Sequence, residues 1–346
     1  MTQLPPVEQF IVNNDVRLYR IPTEVFPDFI AYVYVILGAG VPTLVDTGSG
    51  IGESTDHILA GIASLQGTFG ENIAIQNIER ILVTHGHIDH LGGLASLYDM
   101  THAQIGVHAL DLRVVTHYEE RVIISTKDVR AYLEKAGVSP NRRQQLIEMY
   151  GFAKKFPRSV PVTFTLDPQQ PIDGMQFIHT PGHCPGQVCI LIGDVLLSAD
   201  HVLAKTTPHQ SPESIAAYTG LGHYLDALDK VQKMRGIRLT LGGHETPIDD
   251  VYTRIDEIRA SHQRKLERVR QAIRTTQPCT ISDISKIVYP EKHGYEVLLA
   301  LEEIGAHVEY LYQHGELAVA NLEEIEREEN PAIQYVFAQP QVPYHP

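Results

Sequence analysis

The sequence predicts an α/β sandwich, because strand-like and helix-like segments alternate along most of the chain. The run FIAYVYVIL (29–37) is continuously apolar, as a buried strand often is. STDHILAGIASLQ, which begins at Ser54, places its apolar residues at helical spacing. A further apolar strand (81–84) leads into the helix-like segment LGGLASLYDM. Alternating elements of this kind pack as layers of helices on sheets.

A segment of different character interrupts this alternation. Residues 111–157 are mostly helix-like, with a break near 137–140, and we interpret them as a helical insertion. Strands then resume, and a helix-like segment, HYLDALDKVQKMR, precedes the last of them. The expected strands are VPVTFTL, MQFIHT, QVCILIGDVLLSAD and IRLTLGGH.

The pattern changes again near residue 250. Three helix-like segments precede VEYLYQHGELAVA, which predicts a β-hairpin that turns at His314 and Gly315. Helices followed by a hairpin are typical of a winged-helix unit. We therefore predict a main domain over 1–250, a winged-helix-like domain over 251–330 and an extended tail over 331–346.

The composition is ordinary for a soluble globular protein, with 43% hydrophobic and 20% charged residues in a chain of 346. The longest apolar run (29–41) is shorter than the roughly 20 residues that a membrane helix needs. The first residues lack a basic and then apolar leader, and three cysteines cannot build a disulfide framework. We expect a cytoplasmic protein with no membrane partner. The net charge of −14 disfavours nucleic acid as a partner, because polyanions are repelled.

The stretch THGHIDHLGG (84–93) concentrates residues that bind metals. His85, His87, Asp89 and His90 lie within it, directly after an apolar strand. Packing several imidazoles together without compensation costs desolvation energy, so a purely structural role explains the cluster poorly. Neutral imidazoles and carboxylates are ligands of transition metals. The stretch therefore predicts part of a metal site.

Three other apolar strands also end in a ligand-type residue. His183 follows FIHT in a Gly/Pro turn, Asp200 follows VLLSA, and His244 follows LTLGG. If the strand ends converge, these side chains complete one pocket with the THGHIDHLGG stretch.

Together these segments resemble the motifs of the metallo-β-lactamase superfamily over residues 15–250. The family's His-x-His-x-Asp-His motif is matched by THGHIDH, and its later His, Asp and His by His183, Asp200 and His244 in the same order. The strand-end Asp that precedes the motif is matched by Asp46 in LVDTG. The resemblance implies an αββα sandwich with a dinuclear metal centre at one edge of the sheets. It also makes 1–250 the catalytic domain.

The resemblance implies a role for each of these residues. The ligands of the first metal would be His85, His87 and His183. The ligands of the second metal would be Asp89, His90 and His244, and Asp200 would bridge the two. Asp89 and Asp200 are also assigned to catalysis. Asp46 is expected to orient a ligand histidine through its far ring nitrogen, with a turn cap as the alternative. The expected cofactors are two divalent ions, zinc in the first place, with iron or manganese as alternatives.

Two functions of different classes follow from the resemblance. The first is hydrolysis of a small thioester, ester or lactone by a metal-bridging hydroxide. LGGHETP is similar to a segment of glyoxalase II enzymes, which hydrolyse thioesters. The iron-based redox branch of the superfamily generally has a carboxylate at the position of His87, so the histidine favours hydrolysis over redox chemistry. The second is a phosphodiesterase or ribonuclease, because the C-terminal unit resembles the winged-helix domain of some lactamase-like proteins.

The charge pattern favours the first function. The candidate recognition helix YEVLLALEEIG carries no Arg or Lys, whereas a helix that reads phosphates is expected to carry several. We therefore expect a small-molecule substrate and a packing or homodimer role for the C-terminal unit. For residues 111–157 two roles stay open, a lid over the metal edge or a plain extension of the core.

Overall fold

The computed structural model describes residues 4–13, 15–155 and 157–339. The chain divides into two compact units. The first unit comprises Met1–Ile123, Ala153–Pro208 and His223–Glu257. The second unit comprises Ile124–Phe152, His209–Gly222 and Ile258–Pro346. The last residues of the predicted tail, 340–346, lie outside the described residues.

A seven-stranded sheet forms the larger part of the first unit, and its strands neighbour one another in chain order. The first four strands pair antiparallel, and the pairs from the fourth strand to the seventh are parallel. The strands are β1 (Glu8–Ile11), β2 (Arg17–Phe26), β3 (Phe29–Leu37), β4 (Thr43–Val45), β5 (Arg80–Val83), β6 (Gln104–Val107) and β7 (Phe164–Thr165).

A four-stranded sheet, in the order β11-β10-β9-β8, completes the strands of the first unit. Its strands pair antiparallel except for β10 and β11, which are parallel. The strands are β8 (Met175–His179), β9 (Val188–Ile192), β10 (Val195–Ala199) and β11 (Leu239–Gly242).

Helices flank these sheets and form most of the second unit. The α-helices of the described residues are α1 (Ser54–Phe69), α2 (Ile88–Leu91), α3 (Leu94–Thr101), α4 (Leu112–Thr116), α5 (Tyr118–Lys135), α6 (Pro140–Ala153), α7 (Leu221–Lys233), α8 (Val251–Thr276), α9 (Ile281–Val288), α10 (Glu296–Gln313) and α11 (Leu322–Arg327). Within the described ranges, none of them is both long and apolar enough to cross a membrane.

Two apolar cores show how the layers of the first unit stack. Alternate residues of β2 point to opposite faces of the sheet, as the pleat requires. Leu18 packs in the core between the two sheets, together with Ile190 of β9 and Leu197 of β10. Tyr19 belongs to the other core, which includes Ile58 of α1. The larger sheet therefore lies between a helical layer and the second sheet, and the predicted α/β sandwich is confirmed.

The segment predicted as a helical insertion (111–157) contains α4, α5 and α6, and the break between α5 and α6 falls at the predicted turn. Within the second unit, the Tyr132 hydroxyl of α5 donates a 2.5 Å hydrogen bond to the carbonyl of Leu301 in α10. Gly305 leaves room for this contact, because a Cβ there would lie 2.1 Å from the Tyr132 hydroxyl.

The β-hairpin predicted for VEYLYQHGELAVA is wrong in its first strand. Helix α10 continues to Gln313 and ends before Gly315, which has a φ of 74°. Strand β12 (Leu317–Val319) pairs antiparallel with β13 (Tyr335–Phe337), which lies within the segment predicted as an extended tail. The winged-helix arrangement of 251–330 stays a prediction.

A buried charge network lies inside the second unit, on α8 and α10. The Glu303 carboxylate accepts a 2.5 Å hydrogen bond from the Lys265 ammonium and a 2.8 Å bond from the backbone amide of Gln210. His262 Nδ1 lies 3.2 Å from His307 Nε2, and His307 Nδ1 donates to the Glu303 carbonyl over 2.6 Å. The side chains of His262, Glu303 and His307 have the donor types of a metal site. The Lys265 ammonium already supplies the positive charge that the carboxylate requires, so we interpret the group as a structural network.

Replacement of Lys265 by methionine is expected to destabilise the protein by about 3 kcal/mol, because it leaves the buried Glu303 charge without its partner. Chemical denaturation monitored by circular dichroism measures this change. Lys292→Met is the matched control, since Lys292 pairs with Glu296 at an exposed site, and little change is expected there. Equal stabilities for the Lys265 variant and the wild type would contradict the assignment.

Candidate metal centre

The carboxyl ends of five strands deliver the candidate site residues. Asp46 directly follows β4, His85 follows β5 after Thr84, and His183 lies in the loop that leaves β8. Asp200 directly follows β10, and His244 follows β11 after one glycine. The strand ends thus converge in the first unit, and the side chains predicted from separate sequence segments are brought together.

The THGHIDHLGG stretch changes direction at His87. His87 has an extended backbone, with φ −84° and ψ 149°, and it caps the one-turn helix α2, which carries Asp89 and His90. Two glycines after α2 allow the chain to pass close to its neighbours. A Cβ at Gly92 would lie 2.1 Å from the Ser49 carbonyl oxygen, and one at Gly93 would lie 2.2 Å from that of Thr47. The glycines therefore permit the chain after α2 to lie directly against residues 47–49.

The first ligand group consists of His85, His87 and His183, whose donor atoms lie within 4.8 Å of one another. His85 Nε2 is 3.1 Å from His87 Nδ1, and the rings of His87 and His183 are 4.5 Å apart. Burial lowers the pKa of His85 well below its usual value and that of His87 to about 3. Both rings are therefore neutral near pH 7, which is the form that binds a metal.

The second ligand group consists of Asp89, His90, Asp200 and His244, again with donor atoms within 4.8 Å of one another. His90 Nε2 is 3.4 Å from Asp200 Oδ1 and 3.8 Å from Asp89 Oδ2. His244 Nε2 is 3.3 Å from Asp89 Oδ2 and 3.5 Å from Asp200 Oδ2. All four side chains face one small space.

The second ligand group strongly favours positive charge. Burial lowers the pKa of His244, but the carboxylates of Asp200 and Asp89 outweigh it and raise that pKa to about 10. Burial likewise opposes the charge on His90, and the carboxylates of Asp200, Asp46 and Asp89 still raise its pKa well above the usual value. A divalent cation can take the place of these protons, because metal binding releases protons from such ligands.

The buried polar atoms of the second ligand group fit a metal ion. Among the described residues, His90 Nε2, His244 Nε2 and Asp200 Oδ1 make no hydrogen bond although they are shielded from solvent. Buried polar atoms rarely lack a partner, and a cation held between these three atoms would supply one. The donor set of nitrogen and oxygen atoms suits zinc, iron or manganese.

Asp46 lies behind the second ligand group. Its Oδ2 accepts a 2.8 Å hydrogen bond from His90 Nδ1, and the Thr84 amide and hydroxyl each donate to the same carboxylate over 2.8 Å. A proton fixed on Nδ1 leaves Nε2 of His90 free to face Asp89 and Asp200. The contact is the one expected of a residue that orients a ligand histidine.

His244 is held by a contact that the sequence analysis missed. Its Nδ1 donates a 2.8 Å hydrogen bond to the backbone carbonyl of Ile30, and its ring lies 4.5 Å from that of Phe29. A backbone carbonyl has no sequence signature, so the contact is revealed only by the packing of the loop after β11 against β3.

Asp111 is a second residue that the sequence analysis missed. Its carboxylate is buried beside the loops that carry the first ligand group and accepts a 3.1 Å hydrogen bond from the Gly186 amide. Burial raises its pKa to about 6, although the nearby Gly186, Cys184 and Gly86 act to lower it. An acidic residue placed shortly after an apolar strand (104–107) was the available signal.

Comparison with known proteins gives two kinds of relatives. The chain is 22% identical over 314 residues to a probable metallo-hydrolase, YqjP, of Bacillus subtilis, and the match covers 87% of this chain and 93% of the relative. It is 24% identical to a beta-lactamase-like protein 2 homolog of Caenorhabditis elegans, over 81% of this chain and 78% of the relative. The predicted class, a metal-dependent hydrolase, agrees with the name of the bacterial relative.

Solved structures have the same fold. A metallo-beta-lactamase family protein of Thermus thermophilus superposes with a TM-score of 0.72 at 24% identity, over 92% of this chain and 98% of the other. A beta-lactamase domain protein of Burkholderia ambifaria gives 0.73 at 23% identity, over 96% and 94%. The family model described as the metallo-beta-lactamase superfamily matches residues 27–272. The chain therefore belongs to the metallo-beta-lactamase superfamily.

Proposed function

We propose that this protein is a dinuclear-metal hydrolase of a small carbonyl substrate, a thioester, ester or lactone. The observation that carries the proposal is the position of Asp200 between the two ligand groups. Its Oδ2 lies 3.7 Å from Nε2 of His183 in the first group and 3.5 Å from Nε2 of His244 in the second. A shared carboxylate is what two neighbouring cations require, because it reduces the repulsion between them.

The proposed ligands of the first ion are His85, His87 and His183, and those of the second are Asp89, His90 and His244. Two divalent ions, zinc in the first place, would supply an acidified water molecule and Lewis acidity towards the carbonyl. The chain's own contribution is to fix this geometry. Asp46 holds the proton of His90 on Nδ1, and the Ile30 carbonyl does the same for His244.

The C-terminal helices support the choice of a small carbonyl substrate over nucleic acid. Much of α10 is buried inside the second unit, including Glu302 and Glu303. A helix that enters a nucleic-acid groove needs an exposed face with basic side chains. The sequence of α10 contains neither Arg nor Lys. A phosphodiesterase that uses this helix for binding is therefore the less favoured alternative.

Hydrolysis assays with the metal-loaded protein test the proposal. The panel contains an acyl thioester, an aryl ester, an acyl lactone, a β-lactam and a phosphodiester, each with and without a chelator. We expect turnover of at least one carbonyl substrate, its loss with chelator and its recovery after zinc is restored. Turnover of the phosphodiester alone, or carbonyl turnover that chelator does not change, would overturn the proposal.

A further inference from the structure

Among the described residues of the first unit, the buried carboxylates are those of Asp46, Asp111 and Asp200, and Asp111 is the one without a role so far. It ends the short 3₁₀ turn Ala109–Asp111, which follows β6 and precedes α4. Only 1% of Asp111 is exposed to solvent. Burying a carboxylate this deeply is unfavourable unless hydrogen bonds compensate it, so its partners indicate its role.

One side of the Asp111 carboxylate contacts the loop that carries His183. Oδ1 accepts a 3.1 Å hydrogen bond from the Gly186 amide, and Oδ2 lies 3.6 Å from the Cys184 sulfur. A Cβ at Gly186 would lie 2.4 Å from the carboxyl carbon, so only glycine permits this approach. The residues on both sides of Pro185 are thus tied to Asp111.

The other side of the carboxylate faces the loop that carries His85 and His87. The residue between these two histidines is Gly86, and a Cβ there would lie 3.4 Å from both Cγ and Oδ2 of Asp111. The Gly86 backbone also lowers the pKa of the Asp111 carboxyl, as a nearby amide does. The carboxylate therefore lies beside the backbone at the midpoint of the His-x-His pair.

We propose that Asp111 is a positioning residue that joins the two loops of the first ligand group and sets the spacing of His85, His87 and His183. This inference rests on the proposed function, because it concerns the site of one of the two ions. Asp111 itself would bind no ion. It acts through the backbone of loops that arrive from different sheets. A 3.0 Å hydrogen bond from the Val188 amide to the Thr84 carbonyl also links these loops.

The test is the affinity for each of the two ions, measured by competition between the full-length protein and a chromophoric chelator with zinc. Asp111→Asn keeps the size of the side chain but turns an amide towards Gly86 or Gly186. We expect Asp111→Asn to lower the affinity for one ion by about 10- to 100-fold, the range typical of residues that support ligands. The affinity for the other ion should change by less than about threefold.

Two further variants keep the proposal open to contradiction. Gly186→Ala leaves Asp111 in place but forces the loop away from it. We expect this variant to lower the affinity for the same ion that Asp111→Asn affects. In a His85→Ala background, where the first ion is already lost, Asp111→Asn should leave the affinity for the remaining ion unchanged. Asp173→Asn is the matched control, because it makes the same chemical change at an aspartate that pairs with Arg80 over 2.8 Å.

The outcomes separate the two proposals. A wild-type protein that binds two ions, with an Asp111→Asn variant that binds both equally well and is only less stable, would overturn the positioning role alone. A lower affinity for the second ion when Asp111→Asn is added to the His85→Ala background would also overturn the positioning role alone. A wild-type protein that binds no ion would overturn the metal-hydrolase function and the positioning role together.

Discussion

Replacement of Asp200 by asparagine is expected to remove at least one metal ion and to reduce turnover by more than the roughly 100-fold typical of a supporting residue. Asparagine has nearly the same shape but no charge. Asp200 lies 3.4 Å from His90 and 3.5 Å from His244, and its carboxylate also approaches His183 in the other ligand group. Without this charge, two neighbouring cations lose the anion that lies between their ligand groups.

Metal content by mass spectrometry and turnover on the substrate found in the panel measure this effect. The secondary structure of the variant should be unchanged by circular dichroism, because Asp200 lies just beyond β10 and belongs to no strand ladder. Asp173→Asn serves again as the control and should retain two ions and full turnover. An Asp200→Asn protein with two ions and wild-type turnover would rule out Asp200 as the ligand that the two ions share.

Most of the candidate site could be predicted from the sequence because its residues share one local pattern. His85, His183, Asp200 and His244 each follow an apolar strand, and strand ends meet at one edge of a sheet. The residues behind them could not be found in this way. The Ile30 carbonyl and Asp111 contribute through contacts between distant segments, and neither stands within a motif.

The error at residues 308–320 has a different cause. Val308, Tyr310 and Tyr312 suit a strand by intrinsic preference. However, Ile304, Val308 and Leu311 also recur at helical spacing, and all three are buried within the second unit. Burial of this stripe outweighs the local preference, since tertiary packing often overrides propensity. The partner of β12, at Tyr335–Phe337, lies far along the chain, so a local hairpin signal could not identify it.

The grouping of residues 209–222 with the second unit also depends on long-range contacts. The Gln210 amide donates to the Glu303 carboxylate, and the His209 ring bonds to the Leu299 carbonyl over 3.0 Å. Segments that join a unit through single backbone groups carry no periodic pattern of their own. Sequence periodicity therefore reveals the strands that bear ligands more readily than it reveals which loops belong to which unit.

Replacement of Asp46 by asparagine is expected to lower the affinity of the second ligand group for its metal ion by about 10- to 100-fold. Oδ2 of Asp46 accepts a 2.8 Å hydrogen bond from His90 Nδ1. The side-chain oxygen of asparagine can still accept from the Thr84 amide, which donates to Oδ1 over 2.8 Å. Its NH₂ group then faces His90 and favours the tautomer with the proton on Nε2, the atom needed for the metal.

Two measurements follow this change. Chelator competition reports the affinity for each ion, and nitrogen-15 NMR of the metal-free protein reports which ring nitrogen of His90 carries the proton. Asp46 has a φ of 62°, and asparagine tolerates this conformation, so the backbone should not be strained by the substitution. Thr84→Val is the control for the second ligand group, because it leaves the partner of His90 unchanged. It removes the hydroxyl contacts with Asp46 and with His85 Nδ1, so any change in affinity should fall on the other ion. If Asp46→Asn shifts the tautomer but both ions bind as before, His90 is not a ligand. If neither changes, Asp46 does not orient it, and its hydrogen bonds serve only to join β4 to the end of β5.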